Sequence, residues 1–203
     1  MSRGPAILFV DHLDSFSENL VAALRARGCR VDCVLSAPSG AARIEHGEHD
    51  ALLLSPGPGL PHHYPESLAL LDRWPAERPV LGVCLGHQML LSRENLLLNL
   101  VSERPVHGRR EQVEPVECSN WLSGLNFEGC ATFYNSWAID KLQLAEKDCR
   151  WRLNAHCAGW AAVVEHKFQP WLGVQYHPES FASEQGGLLL NAFVALLNSR
   201  GLA

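Results

Sequence analysis

Apolar and polar positions divide this chain into two unlike halves. Ala6 to Val10 is a continuous apolar run of strand length, bounded by polar residues, and it predicts a buried strand. Asp11-His12-Leu13-Asp14 ends it, and a helix is expected from Ser15, where Ser15 and Glu18 have capping-box spacing. Leu20, Val21 and Leu24 give that helix an apolar stripe, and Gly28 supplies a stop. Val31 to Leu35 and Ala51 to Leu54 predict the second and third strands. Glu66 to Trp74 predicts a helix that turns Leu68, Leu71 and Trp74 to the sheet, and Pro79 to Val83 predicts the fourth strand. Such alternation of strands and helices implies a parallel sheet covered on both faces.

After about Val101 the spacing changes. Short β-like stretches at Gln112 to Val116, Ala131 to Tyr134, Trp160 to Glu165 and Leu172 to Tyr176 are separated by Gly, Asn and Ser turns, and predict antiparallel additions. A last helix is expected over Gly187 to Asn198, burying Leu189, Phe193, Leu196 and Leu197. The fold class is therefore α/β: a three-layer open sheet, mainly parallel, with antiparallel additions in the C-terminal half. No repeat, low-complexity tract or linker interrupts it, so residues 1–203 are expected to form a single domain.

Composition adds exclusions. An apolar content of 47% with 19% charged residues over 203 positions is globular and argues against disorder. A net charge of −5, with no basic run beyond Arg109-Arg110, argues against nucleic-acid binding. No stretch approaches membrane-spanning length and none resembles a signal segment, so no membrane association is expected. Seven cysteines without disulfide-style spacing fit a reducing compartment, and a cytoplasmic location is expected. Cys29, Cys33, Cys118, Cys130, Cys149 and Cys157 read as small structural side chains. His46 with His49, and His62 with His63, lack partners at metal-ligand spacing and read as surface residues. No metal and no cofactor are expected.

Candidate chemistry concentrates where predicted strands end. In open α/β sheets, ligands lie beyond the carboxyl ends of the strands, and Asp11 to Phe16, Ser55 to Gly59 and Cys84 to Gln88 all fall there. Gly82-Val83-Cys84-Leu85-Gly86-His87-Gln88 carries an apolar run into a cysteine flanked by glycines and followed by a helix. This is the pattern of a nucleophile elbow. The helix N-terminus would direct free N–H groups and a positive dipole end at the sulfur, favouring the reactive thiolate.

Two further segments, Ser55-Pro56-Gly57-Pro58-Gly59 and Gly173-Val174-Gln175-Tyr176-His177-Pro178-Glu179-Ser180, complete an ordered set. Together the three resemble the class I (triad) glutamine amidotransferases, whose fold is flavodoxin-like. The Ser-Pro-Gly-Pro-Gly loop, Asp14-Ser15-Phe16 and Tyr134-Asn135-Ser136 are most similar to the glutaminase subunits of anthranilate synthase and aminodeoxychorismate synthase. The resemblance runs from about Ile7 to Leu197. It implies Cys84 as nucleophile, His177 as proton carrier and Glu179 as the acid that orients it. The backbone N–H groups of Leu85 and Gly59 would form the oxyanion hole. By the same resemblance Gly57, Pro58, Gly59, Gln88, and the backbone at Ser136 and Trp137 contact L-glutamine. Gln175 lies in the motif but is assigned no catalytic role.

No P-loop or second large domain could hold an acceptor of ammonia. The resemblance therefore implies a separate chorismate-binding synthase subunit in a hetero-oligomer. Three departures stand out. Ser92 to Leu100 lacks a Gly-Gly turn usual in the family, Asn135 replaces a histidine, and Asp11-His12-Leu13 stands where Asp-Asn-Tyr is common. His107-Gly108 matches a family pair beyond the odd segment. Two alternatives stay open: a non-catalytic partner-binding subunit, and a free-standing cysteine amide hydrolase of the same fold.

Overall fold

The computed structural model describes residues 4–36, 48–101, 108–116, 121, 125, 127–145 and 149–200. In chain order the elements are β1 (Ala6–Asp11), α1 (Ser17–Arg25), β2 (Arg30–Leu35), β3 (Ala51–Leu54), α2 (Pro65–Arg73), β4 (Val80–Val83) and α3 (Leu85–Ser92). There follow β5 (Leu98–Leu100), β6 (Arg109–Pro115), β7 (Gly129–Phe133), β8 (Trp137–Ile139), β9 (Trp151–Cys157), β10 (Trp160–His166), β11 (Trp171–Val174) and α4 (Gly186–Arg200). Short 3-10 turns span Pro61–His63 and Lys141–Ala145.

The main sheet has the order β2-β1-β3-β4-β11-β10-β9-β6-β7, and β5 pairs with β8 in a separate ribbon. Pairing from β2 through β11 is parallel, while β10, β9, β6 and β7 extend the sheet antiparallel. Side chains alternate between faces along β1. Ile7 and Phe9 join a core with Leu20 and Leu24 of α1 and Leu189 and Phe193 of α4. Leu8 and Val10 join a second core with Leu70 and Leu71 of α2 and Met89 and Leu90 of α3. Helices thus cover both faces, giving the expected three layers.

Three local expectations are corrected. The helix expected from Ser15 begins at Ser17, and no side chain caps it. Asp14 Oδ1 instead accepts from the Phe16 N–H at 2.8 Å, and Asp11 Oδ1 accepts from Ser17 Oγ at 2.6 Å. These two carboxylates organise the helix entry in place of a Ser15–Glu18 box. The Leu172 to Tyr176 stretch, expected among the antiparallel additions, forms β11, which is parallel to β4 and antiparallel only to β10. It is the strand at which the sheet changes direction. That strand also ends at Val174, before Pro178. Finally, the segment lacking a Gly-Gly turn reverses at Asn95, which adopts φ 59°. Asparagine tolerates the left-handed region better than most residues, so it turns the chain after α3 where glycine is usual.

A candidate active site at the ends of β4 and β11

Cys84 is the single residue between β4 and α3, with φ 51° and ψ −100°. An L-residue in a sparsely populated conformation costs on the order of 1–3 kcal/mol and persists only where its surroundings dictate it. Those surroundings are specific. The Cys84 N–H donates to Val174 O of β11 at 2.8 Å, and the Cys84 carbonyl accepts from the Gln88 N–H at 3.1 Å. Gly86 lets α3 settle onto β3, since a Cβ there would lie 2.3 Å from Leu54 O. The sulfur stands at the N-terminus of α3, and the residue is 6% exposed.

His177 and Glu179 follow β11, three and five residues after its last member. The chain bends at Gln175 and Tyr176 on its way there, with the Gln175 N–H donating to Ala162 O at 2.9 Å and the His177 N–H to Thr132 O at 3.0 Å. Ser183 Oγ donates to His177 O at 2.7 Å, so both backbone groups of the histidine are fixed. Its Nδ1 meets Glu179 Oε1 at 2.6 Å, with both side chains almost wholly buried. Burial opposes a charged imidazole, but the Cys84 sulfur and the Glu179 carboxylate outweigh it and push the His177 pKa up to about 10. The rings of Tyr134 and Phe16 meet the imidazole edge to face at centroid distances of 4.9 and 5.6 Å. This contact is one contribution of the Asp14-Ser15-Phe16 and Tyr134-Asn135-Ser136 segments to the site.

In front of Cys84 lies a cavity of about 460 Å³. Gly57, Pro58, Gly59, Leu85, Gln88, Ser136 and Trp137 all line it, together with Leu60, His63, Tyr134 and Asn135. Every binding position expected from the sequence thus reaches one cavity. Gly59 has φ 83°, a conformation that favours glycine. Pro58 O accepts from Tyr64 Oη at 2.8 Å, which pins the loop. His63, exposed as expected of a surface residue, also lines this space, and its Nδ1 accepts from the Leu60 N–H at 3.2 Å. Its placement depends on the 3-10 turn at Pro61–His63, for which the local sequence offers Pro61 but no chemical signal.

Gln88 donates through Nε2 to Trp137 O at 2.8 Å and to Gln175 Oε1 at 3.2 Å. Gln175 Nε2 in turn approaches Cys84 Sγ at 3.6 Å. The sequence motif alone assigns Gln175 no role, and because the chain bends at Gln175 and Tyr176 its approach to Cys84 is set by the fold. Asn135 also donates to Trp137 O, at 3.1 Å.

The remaining candidates lie elsewhere. His49 pairs with Asp32 at 2.9 Å, while His46, His107 and Cys118 fall outside the described residues. Cys29 and Cys157 are buried, Cys130 and Cys149 are half-buried, and Cys33 is exposed rather than packed. Among the described residues no three His, Cys, Asp or Glu side chains assemble as a metal site, and no helix is long and apolar enough to cross a membrane.

A strand-to-helix cysteine, a buried histidine–glutamate pair and a Gly-Pro-Gly loop thus meet at one edge of an open α/β sheet. The class-I glutamine amidotransferase family model matches residues 8–196, and this chain belongs to that family. It is 34% identical to anthranilate synthase component 2 of Thermus thermophilus, over 93% of this chain and 91% of that protein. It is 32% identical to aminodeoxychorismate synthase component 2 of Klebsiella aerogenes, over 93% of this chain and 98% of the relative. The crystal structure of a glutamine amidotransferase from Thermotoga maritima shares the fold, with a TM-score of 0.70 and 14% identity, covering 98% of this chain and 98% of that one.

Proposed function

We propose that this protein is a glutaminase subunit that hydrolyses L-glutamine through Cys84, His177 and Glu179 and delivers ammonia to a separate chorismate-binding synthase. The observation that carries the chemistry is the buried Glu179–His177 pair at 2.6 Å, held beside the Cys84 that lines the cavity. The relatives named for anthranilate and aminodeoxychorismate synthases support the choice of acceptor.

In this reading the thiolate attacks the side-chain amide carbon of glutamine. The carbonyl oxygen becomes an oxyanion, received by the N–H groups of Leu85 and Gly59. His177, holding the thiol proton, passes it to the departing nitrogen, and ammonia leaves as the C–N bond breaks. A glutamyl thioester remains on Cys84. Water, deprotonated by His177, attacks that carbon, and glutamate departs as the C–S bond breaks and the thiolate is restored. Glu179 keeps the ring in the orientation that serves both steps. Gln88 spends both amide hydrogens on Trp137 O and Gln175 Oε1. Its carbonyl oxygen is therefore the group it can offer, an acceptor suited to the substrate ammonium.

The test separates the two halves of the reading. With the cognate synthase present, Cys84→Ala abolishes glutamine-dependent product formation and spares formation driven by added ammonium. Equal loss of both activities would refute the division of labour.

A further inference from the structure

We propose that Gln175 is a positioning residue that stabilises the Cys84 thiolate and ties it to the state of Gln88. The inference rests on Cys84 being the nucleophile. It concerns a side chain that does not line the substrate cavity and that no step of the mechanism above uses.

The geometry leaves little freedom in how the two amides point. Trp137 O is only an acceptor, so the group Gln88 presents to it at 2.8 Å is the –NH₂ end. The second hydrogen of that nitrogen points to Gln175 at 3.2 Å, which fixes the facing atom as Oε1. The other end of the Gln175 amide is then Nε2, a donor, and it is this end that meets Cys84 Sγ at 3.6 Å. Turning Gln175 around would set two donors against each other at Gln88 and a carbonyl oxygen against the sulfur. The chain Trp137 O, Gln88, Gln175, Cys84 thus has one satisfied direction. Gln175 is 1% exposed and Gln88 4%, so little water competes for these bonds.

Chemically, the arrangement gives the sulfur a third source of positive potential. His177, held by Glu179, acts on it electrostatically from the segment after β11, and Cys84 stands at the N-terminus of α3. Tyr134 and His63 are the other titratable groups on the same cavity. A donor to sulfur strengthens when the thiol becomes thiolate, because the acceptor then carries full charge. Being neutral, the amide does this without drawing the proton that His177 must carry. When substrate engages the Gln88 oxygen, polarisation of the amide chain strengthens the bond to sulfur in the same sense.

Alkylation of Cys84 by iodoacetamide, followed by peptide mass spectrometry to read Cys84 apart from the other cysteines, tests this without requiring any glutaminase activity. Gln175→Met keeps side-chain length and removes the donor. Gln175→Glu keeps an acceptor for Gln88 and places a carboxylate at the sulfur. Near neutral pH the Met variant is expected to alkylate about tenfold more slowly than the wild type, and the Glu variant more slowly still. In turnover, kcat falls in the same order. Equal alkylation rates at neutral pH in the wild type and in either variant that retains the native circular dichroism spectrum would overturn the proposal. Failure of the glutaminase reading shows differently, as a wild type that reacts at Cys84 but does not hydrolyse glutamine with its synthase.

Discussion

Glu179 holds the Nδ1 side of His177 from within a site that excludes water, and the two are bonded at 2.6 Å. A neutral amide of the same shape can still accept that bond but cannot balance the imidazolium. It can also rotate to present a donor, which would select the wrong ring tautomer. Glu179→Gln is therefore expected to lower the glutamine-dependent kcat by roughly 10³-fold, with KM little changed, because the loss falls on proton transfer. Residual turnover should remain above that of Cys84→Ala, which removes the nucleophile. Steady-state kinetics with the synthase present reads both parameters, and a wild-type kcat would remove Glu179 from the mechanism. The same residue scale shows what the sequence makes legible. Cys84, His177 and Glu179 announce themselves through motifs that turns and strand ends require. Gln175 and His63 do not, because their roles depend on which neighbours the tertiary fold brings to them.

The decisive element is the turn from β4 into α3, and Gly86 lies on its contact surface with β3. Two effects oppose each other when Gly86 becomes alanine. Helix propensity favours alanine by up to about 1 kcal/mol. Against it, the new Cβ would sit 2.3 Å from Leu54 O and 2.7 Å from Leu54 Cβ, at the end of a buried strand that cannot move aside alone. Overpacking of this kind costs typically about 1–3 kcal/mol, and contact with backbone belongs at the upper end. Gly86→Ala should thus destabilise by about 2 kcal/mol in urea denaturation. It should also depress activity beyond that loss, since α3 carries Leu85 and Gln88. Stability equal to wild type would mean that α3 can shift without cost. Elements of the parallel half are readable because each buries a continuous apolar run. β9 is unlike them: Trp-Arg-Leu-Asn-Ala-His-Cys alternates apolar and polar residues, the period of a half-buried strand, and carries no continuous apolar run. Arg152 survives there by pairing with the fully buried Glu165 at 2.6 Å, a partner thirteen residues away. The three-residue strands β5 and β8 are too short to show a period, and they exist through each other.

Across the whole molecule, stability should depend on pH through histidines that the catalytic chemistry does not use. His12 sits where β1, β3 and α2 meet, its Nε2 on Ser67 Oγ at 3.0 Å and its Nδ1 at 3.2 Å from Ser55 O. His87 lies buried between α3 and Gly173 of β11. Burial lowers both to about 4, offset only in part at His12 by its bond to the Ser55 backbone. His166, at the end of β10, is lowered to about 4 as well, by burial and by the Arg150 charge. The unfolded chain takes up these protons near pH 6.5 and the native one only near pH 4. Between those values the unfolded state binds more protons, so stability falls as pH falls through that window. Each of the two fully buried histidines contributes about 3 kcal/mol of loss over the full span. His177 acts with the opposite sign. Its pKa is raised to about 10, so its contribution is complete below pH 6.5 and is lost as pH rises toward 10. It adds nothing to the acid slope, which isolates the other three. Urea midpoints measured at pH 7, 5.5 and 4.5 should decline steadily. The decline should be shallower by about one proton in His12→Asn, which leaves His87 and His166 to carry the rest. A flat profile in the wild type, or an unchanged slope in the variant, would show that these side chains are protonated in the native state. The hydrogen bonds to Ser55 and Ser67 would then have to be drawn with both ring nitrogens donating.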